Sequence, residues 1–185
     1  MKIGIDVDNT VCNTAMAVLE QHYADTGERL TLDDITSYYI ENHVSEDYKD
    51  DFHLIFLNKE MWKRVKVIPN CVDVIRRFHE QGNEIFFVTS TESANVAKKH
   101  SFLQRTFPFL NIRKRLITTP CKQMIDLDVL IDDCIDNVIF APYYSIILDY
   151  PWNHNFDDTA DDKTYRVFDW TQVEAMIEYI QKVKT

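Results

Sequence analysis

Short apolar segments alternate with segments of helical period along most of this chain, and this alternation limits the fold more than any other feature. Apolar runs of strand length occupy residues 3–7, 84–88, 116–118, 129–131, 145–148 and 166–168. The runs are nearly continuous, as expected for strands that are covered on both faces. We therefore predict an α/β fold, a Rossmann-like parallel sheet with helices on both faces.

The segments between these runs predict helices over residues 13–26, 69–81 and 93–107, and from Thr171 onward, where a capping box pairs Thr171 with Glu174. Residues 31–67 break the pattern because they are rich in aromatic and acidic residues. They start with a T-x-x-D sequence at Thr31 to Asp34 that is typical of a helix start. We predict a small helical domain at 13–68, inserted after the first strand of a core at 1–12 and 69–185. The acidic run 157–162 is predicted to be a solvated loop.

The charge balance narrows the range of partners. The 185 residues include 20 basic and 30 acidic ones, a formal net charge of −10. This disfavours nonspecific binding to nucleic acid or to an anionic membrane surface, since both require a basic face. No apolar run approaches the roughly 18 to 20 residues of a membrane span. The four cysteines lack C-x-x-C spacing, which predicts free thiols and a cytoplasmic location.

Two carboxylates follow the first predicted strand. Asp6 and Asp8 lie two residues apart, so their side chains point the same way as long as the backbone stays extended. Two acids at the end of a buried strand repel each other and lose solvation. They therefore require a compensating group, which could be a divalent cation, a shared proton or a phosphoryl group.

Further polar residues follow the other strands. Thr89 and Ser90 end the second strand, Lys122 lies beyond the third, and Asp132 and Asp133 end the fourth. Because the carboxyl ends of parallel strands meet at one edge of a sheet, we expect these residues to converge with Asp6 and Asp8. Such a set offers a magnesium site, a phosphate cradle and a nucleophile.

In this order, the sequence D-V-D-N-T at 6–10, the pair Thr89-Ser90, Lys122 and the pair Asp132-Asp133 resemble the four motifs of the haloacid dehalogenase superfamily of phosphotransferases. The resemblance implies that Asp6 attacks phosphorus and becomes an aspartyl phosphate, while Asp8 acts as general acid and then as general base. It implies that Thr89 and Ser90 bind phosphoryl oxygens and that Lys122 neutralises charge.

The same resemblance implies a Mg²⁺ cofactor. Its ligands would be Asp6, the backbone carbonyl of Asp8 and Asp132, with Asp133 assisting through water or indirectly. The family's usual glycine after the D-x-D pair is Asn9 in this chain, a residue that tolerates a left-handed turn.

The insertion after the first motif resembles the small helical cap of this superfamily, and together with Asp132-Asp133 it is similar to that of the 5′(3′)-deoxyribonucleotidases. This resemblance implies a deoxyribonucleoside monophosphate substrate whose base stacks on cap aromatics, for which Tyr38, Tyr39 and Trp62 are candidates, with Phe52 behind them. The family commonly has an aromatic residue eight positions after the nucleophile, whereas this chain has Thr14.

Three alternatives stay open at this point. The first is a related phosphatase for another small phosphometabolite or a nucleic-acid end, although the net charge disfavours the latter. The second is a receiver-like signalling domain, which also combines an acid pair, a phosphorylated aspartate and a lysine, but in a different order along the chain. The third is a catalytically inactive binding module, which the complete set of motif residues argues against. In each case the partner is a small phosphorylated molecule or group, and a homodimer is left open.

Overall fold

The structure is a computed structural model that describes residues 1–157 and 161–184. Within these residues, six parallel strands form one sheet in the spatial order β3-β2-β1-β4-β5-β6. The strands are β1 (Lys2–Ile5), β2 (Glu84–Thr89), β3 (Leu116–Thr118), β4 (Val129–Asp132), β5 (Tyr144–Leu148) and β6 (Thr164–Val167). Each predicted strand falls on an observed strand, so the predicted parallel sheet is confirmed.

The α-helices lie between and beside these strands in chain order. They are α1 (Thr14–Thr26), α2 (Glu46–Lys49), α3 (Lys59–Arg64), α4 (Cys71–Glu80), α5 (Ser93–Thr106), α6 (Ile135–Val138) and α7 (Trp170–Val183). Short 3-10 helices occur at Leu32–Asp34, Ile40–Asn42, Phe52–Leu57, Ile112–Lys114, Lys122–Met124 and Pro151–Asn153. Among the described residues, no helix is long and apolar enough to span a membrane.

Buried side chains cover both faces of the sheet. Successive strand residues point to opposite sides, and both sets pack into hydrophobic clusters. In β2, Ile85 and Phe87 join the larger core beneath α4, α5 and α7, whereas Val88 packs into a smaller cluster on the other face. Gly4 of β1 faces this second cluster, and a Cβ atom there would collide with the side chain of Leu127. This close packing accounts for a glycine at the centre of a buried strand.

Residues 14–64 carry only helical elements and contain a hydrophobic cluster of their own. The members are Ala17, Val18, Val44, Phe52, Ile55 and Met61. The two chain segments that connect this region to the sheet pair with each other, since Asn13 N donates to Lys66 O at 3.0 Å and Ile68 N donates to Val11 O at 2.9 Å. The division into domains at 12/13 and 68/69 stays a prediction.

Local capping differs from the predictions at two helices. Helix α4 begins at Cys71 rather than at 69, because Asn70 adopts a left-handed conformation with φ of 67°. The capping box predicted between Thr171 and Glu174 is wrong: Asp169 caps α7 by accepting from the Thr171 and Gln172 amides, and Glu174 instead pairs with Arg77. The capping box from Thr31 to Asp34 is present. The predicted acidic loop at 157–162 lies partly outside the described residues.

The order of the strands indicates where on the sheet a ligand would bind. From β1 to β3 the successive strands are added on one side of β1, whereas β4, β5 and β6 are added on its other side. The direction in which the chain builds the sheet therefore reverses between β1 and β4. In open parallel sheets, ligands bind at the carboxyl ends of the strands beside such a reversal. The order also differs from the 2-1-3-4-5 arrangement of receiver domains, which removes that alternative.

Candidate active site

Asp6 lies directly beyond β1 and is buried in the centre of the sheet edge. Its amide donates to Ile131 O at 2.9 Å, which extends the pairing of β1 with β4 by one residue. The residue is only 5% exposed, and the Lys122 ammonium donates to Asp6 Oδ1. Burial raises the pKa of Asp6 to about 7, although the Lys122 charge acts in the opposite direction.

Lys122 bridges two of the predicted site carboxylates. Besides Asp6, it donates to Asp132 Oδ2 at 2.7 Å, and both side chains of this second pair are buried. Burial alone would lower the pKa of Lys122, but the negative charges of Asp132 and Asp6 outweigh it and raise this pKa above its usual value. The ammonium group is therefore a fixed positive charge beside the nucleophile candidate.

Asp132 and Asp133 differ in how many donors they receive. Asp132 Oδ1 accepts from the amides of Asp133 and Cys134, each at 3.0 Å, and from Asn137 Nδ2 at 3.2 Å, while its Oδ2 is taken by Lys122. Asp133 Oδ2 accepts from Asn9 Nδ2 at 3.2 Å. Burial and the nearby charges of Asp6 and Asp132 raise the pKa of Asp133 well above its usual range.

Asn9 shapes the loop that holds these groups. It adopts a left-handed conformation with φ of 53°, as its place in the D-x-D-N sequence predicts. Its side chain connects two parts of the site, because Oδ1 accepts from the Ala15 amide at 2.8 Å while Nδ2 donates to Asp133. The asparagine thus provides the turn and also two hydrogen bonds that a glycine could not make.

Asp8 points to a different set of partners than Asp6. Thr14 Oγ1 donates to Asp8 Oδ1 at 2.6 Å, and the ammonium of Lys99 donates to Asp8 Oδ2. Lys99 also donates to Thr89 Oγ1 at 2.8 Å and is 3% exposed. The lysine therefore joins the acid of the first motif to the threonine of the second.

Lys99 was not among the site residues predicted from the sequence. A signal was present, because Asn95, Lys99 and Leu103 follow each other at intervals of four residues and form the buried face of α5. A lysine on the buried face of an amphipathic helix needs a partner of opposite charge. The exposed cations of the same helix, such as Arg105, obscured this position.

Three carboxylates can converge on a metal ion. Among the described residues, one oxygen each of Asp6, Asp132 and Asp133 lies within 4.8 Å of the others, and all three side chains are buried. The Asp8 carboxylate is engaged by Thr14 and Lys99 instead, and the predicted ligand role of its backbone carbonyl stays a prediction. Both oxygens of Asp132 already accept hydrogen bonds, whereas Asp133 accepts one from Asn9. The predicted division into a direct and an indirect ligand stays a prediction.

Two of the predicted base-contacting residues are exposed on the helical region. Tyr38 and Tyr39 are 45% and 59% exposed, and their rings meet edge to face with centroids 5.6 Å apart. Partial burial, followed by the negative charges of Asp133 and Asp6, raises the pKa of Tyr38 above its usual value. Tyr38 therefore lies close enough to the carboxylates to sense their charge.

Trp62 lies where the helical region contacts helix α5 of the core. Its Nε1 donates to Phe56 O at 2.8 Å, and Lys98 Nζ lies 5.5 Å from its ring centroid. Lys98 also donates to the carbonyls of Phe56 and Leu57, at 3.2 and 3.3 Å. Phe52 is buried in the helical region's own cluster, and Ser90 is exposed beyond β2. The structure thus places Trp62 against Lys98 rather than beside Tyr38.

The fold is that of hydrolases related to haloacid dehalogenases. The chain is similar to a haloacid dehalogenase-like protein from Agrobacterium tumefaciens, with a TM-score of 0.66, 12% identity and coverage of 97% of this chain and 98% of that one. It is also similar to a hydrolase of this family from Deinococcus radiodurans, solved with bound phosphate and sodium, with a TM-score of 0.64, 11% identity and coverage of 97% and 96%. At these identities the likeness shows the fold alone.

The family is shown by the sequence. The family model described as "5' nucleotidase, deoxy (Pyrimidine), cytosolic type C protein" matches residues 1–184, and the chain belongs to this family. It is therefore a hydrolase of phosphoric monoesters, within the superfamily that the four motifs indicate. A search of curated protein sequences found no match.

Proposed function

We propose that this protein is a Mg²⁺-dependent phosphomonoesterase that works through an aspartyl phosphate on Asp6 and acts on deoxyribonucleoside monophosphates. The observation that carries the proposal is the buried contact of Asp6 with Lys122, beside Asp133 and two residues before Asp8. These are the groups that a carboxylate needs in order to attack a negatively charged phosphoryl group.

The first half of the reaction assigns one role to each acid. Lys122 engages Oδ1 of Asp6, so we assign the attack to Oδ2. As the bond between Oδ2 and phosphorus forms, the bond from phosphorus to the ester oxygen breaks, and Asp8 gives its proton to the leaving oxygen. In the second half, a water molecule gives a proton to Asp8 and attacks phosphorus, which releases phosphate and restores the Asp6 carboxylate.

The cations and hydroxyls around Asp6 fit a phosphoryl group. Lys99 contacts both Asp8 and Thr89, so a phosphoryl group that enters between Asp6 and Thr89 meets two ammonium groups. A lysine acts on such a group as a compact positive charge with three donors. We assign the phosphoryl oxygens to Lys99, Lys122 and Thr89, with exposed Ser90 as an additional donor.

The donor set also fits a divalent metal ion. In the part of the chain that the structure describes, the ammonium groups of Lys99 and Lys122 pair with three of the four site carboxylates, those of Asp6, Asp8 and Asp132, so four acids share two lysines. Burial, together with the charges of the neighbouring carboxylates, raises the pKa of Asp6 and Asp133, so a bound cation would offset the cost of ionising both acids. Carboxylate oxygens are the ligands that Mg²⁺ prefers, and we assign it to Asp6 and Asp133. When bound, Mg²⁺ supplies charge neutralisation for the phosphoryl group.

The helical region would act as a cap that recognises the leaving group. Tyr38 and Tyr39 expose aromatic rings, and the charges of Asp133 and Asp6 reach Tyr38. Stacking of a nucleobase on such rings contributes about 1 to 3 kcal/mol. We assign the base to these two rings rather than to Trp62, since Lys98 lies over the ring of Trp62.

One observation favours a second candidate, a phosphatase of another small phosphometabolite. Thr14 occupies the position where the deoxyribonucleotidases commonly have an aromatic residue, and its hydroxyl is used by Asp8. A release assay for inorganic phosphate separates the two. Deoxyribonucleoside monophosphates should be hydrolysed faster than sugar phosphates, only with Mg²⁺ present, and oligonucleotide ends not at all. Preference for a phosphate ester without a base would replace the nucleotidase proposal with this second candidate.

We further propose a cytoplasmic location. The support is that all four cysteines lie within the described residues and none forms a disulfide, as expected in a reducing compartment. A homodimer stays a prediction, which the elution volume in size-exclusion chromatography would test.

A further inference from the structure

Thr14 is the first residue of α1, and its hydroxyl serves the acid of the site. The side chain is buried, with 5% of the residue exposed, and Oγ1 donates to Asp8 Oδ1 at 2.6 Å. Lys99 engages the other oxygen of the same carboxylate. The two oxygens of Asp8 are therefore distinguished by their partners, a neutral hydroxyl on Oδ1 and an ammonium group on Oδ2.

The position of Thr14 is determined by the attachment of the cap. The preceding residue, Asn13, pairs with Lys66 in both directions: Asn13 N donates to Lys66 O at 3.0 Å, and Lys66 N donates to Asn13 Oδ1 at 2.6 Å. These bonds tie the segment that enters the cap to the segment that leaves it. Thr14 follows directly, and the next residue, Ala15, donates its amide to Asn9 of the site loop at 2.8 Å, so the Thr14 hydroxyl lies at the point where the cap joins the site.

We propose that Thr14 is a positioning residue for the acid–base function of Asp8. Thr14 holds Oδ1, and Lys99 contacts Oδ2 while it also contacts Thr89, so Oδ2 is the oxygen on the side of the proposed phosphoryl position. When Lys99 turns to the phosphoryl group, Oδ2 exchanges the proton with the leaving group and with water. Because Thr14 belongs to the cap segment, the same bond links the position of the cap to the orientation of the acid. This inference rests on the proposed function, since it concerns a step of that reaction.

The leaving group decides how much the first half-reaction depends on Asp8, whereas the second half-reaction depends on Asp8 for every substrate. Release of an alcohol from a nucleotide requires a proton from Asp8, whereas p-nitrophenolate leaves readily as an anion. Hydrolysis of the aspartyl phosphate requires Asp8 as a base for both substrates. A residue that positions Asp8 should therefore affect phosphorylation by the alkyl ester far more than phosphorylation by p-nitrophenyl phosphate.

The test compares Thr14→Val, which keeps the shape but removes the donor, with Thr14→Ser, which keeps the donor. In rapid-mixing experiments with p-nitrophenyl phosphate, Thr14→Val should show a burst of p-nitrophenolate at nearly the wild-type rate, followed by slow steady turnover. With a nucleotide, its phosphorylation rate should fall by about 10-fold or more, a part of the usual contribution of general acid catalysis. Thr14→Ser should restore most of this rate.

Thr26→Val provides a matched control. It removes a hydroxyl from the last turn of the same helix, where Oγ1 donates to His22 O at 2.7 Å, far from Asp8 in the chain. This variant should lower stability without separating the two substrates. If Thr14→Val does not fold, Thr14→Ala replaces it in the same comparison with Thr14→Ser.

The outcomes distinguish this inference from the proposed function. The role of Thr14 would be overturned if Thr14→Val slowed phosphorylation by both substrates equally or slowed neither. It would also be overturned if Thr14→Ser did not restore the rate with the nucleotide. Wild-type protein that releases no phosphate from any monoester with Mg²⁺ would instead overturn the proposed function, and the inference with it.

Discussion

Lys122 Nζ donates to Asp132 Oδ2 at 2.7 Å, and both side chains are almost completely buried. The other oxygen of Asp132 accepts from two backbone amides and from Asn137. A carboxylate with both oxygens occupied in this way orients its partner and has little capacity left for a metal ion. We therefore infer that Asp132 holds Lys122 toward Asp6, while Asp133 is the metal ligand of the adjacent pair.

Replacement of each acid by asparagine tests this division. In Asp133→Asn, the melting temperature should no longer rise when Mg²⁺ is added, because a neutral amide is a poor ligand for a hard cation. Asp132→Asn should keep this response but lose about 3 to 5 kcal/mol of stability without metal, since it breaks a buried ion pair. Thermal unfolding with and without Mg²⁺ measures both effects. A Mg²⁺ response lost only in Asp132→Asn would restore the original assignment.

The metal-free protein should lose stability as the pH rises from about 5 to about 7, above the range in which ordinary carboxyl groups and those with lowered pKa values titrate. The pKa of Asp6 is raised from 3.8 to about 7 by burial, and that of Asp133 is also raised. In this interval the folded protein binds more protons than the unfolded chain, so the free energy of unfolding falls with rising pH. Denaturant titrations with EDTA at several pH values measure the slope, and Asp6→Asn should reduce it. A stability that rises over this interval would mean that burial does not raise the pKa of these two acids.

Asp6→Asn should abolish turnover while leaving the fold intact. The amide cannot form the acyl phosphate, so phosphate release should fall to the background rate. Without metal at pH 7.5, the variant should melt at a higher temperature than the wild type, because it removes a buried carboxylate that is ionised at a cost. Loss of activity together with unfolding would leave the nucleophile unassigned, and retained activity would exclude it.

Much of the core fold follows from the sequence because it depends on local patterns. The apolar runs predicted the six strands of the described residues, since the four inner strands are largely buried on both sides. The edge strands β3 and β6 are only partly buried but still carry short apolar runs. The start of α7 was misassigned because Asp169, Thr171 and Glu174 are all typical of a helix start. Arg77, which lies 97 residues earlier, pairs with Glu174, so Glu174 is not part of a capping box. Such choices depend on tertiary contacts that a local pattern does not contain.

The site was predictable wherever a residue follows a strand. Asp6, Thr89, Lys122 and Asp132 meet because parallel strands end at one edge. Lys99 comes from the middle of a helix, and its pairing with Asp8 joins residues 91 positions apart. The unequal hydrogen bonding of Asp132 and Asp133 is also invisible in the sequence, because it arises from the turn that follows β4.

Adjacent lysines on α5 provide a matched pair of variants. Lys99 contacts Asp8 and Thr89, whereas Lys98 contacts cap carbonyls and Trp62. Lys99→Met should lower kcat by about 10²- to 10³-fold, the usual effect of removing one group that stabilises the charge of a transition state. Lys98→Met should change kcat for p-nitrophenyl phosphate by less than about fivefold, since half-buried Lys98 donates to carbonyls of the helical region and such neutral acceptors contribute about 1 kcal/mol. Similar losses in both variants would indicate a general effect on α5 instead.

Tyr39→Ala tests the assignment of the base to the cap. The Tyr39 ring is 59% exposed and meets Tyr38 edge to face, so its removal takes away a stacking surface and little core packing. If a nucleobase stacks there, the loss of about 1 to 3 kcal/mol raises KM for a deoxyribonucleoside monophosphate roughly 5- to 150-fold. Glycerol phosphate lacks a ring, so its KM should change little.

Tyr39→Phe is the control, because it keeps the ring and removes only the hydroxyl. Its KM for the nucleotide should remain near the wild-type value, and the melting temperatures of both variants should stay close to that of the wild type. A KM that rises equally for nucleotide and glycerol phosphate would mean that Tyr39 shapes the cap rather than contacts the base. In that case the proposal of a nucleotide substrate would lose its support. The phosphatase assignment would stand, because it depends on Asp6, Lys122 and Asp133.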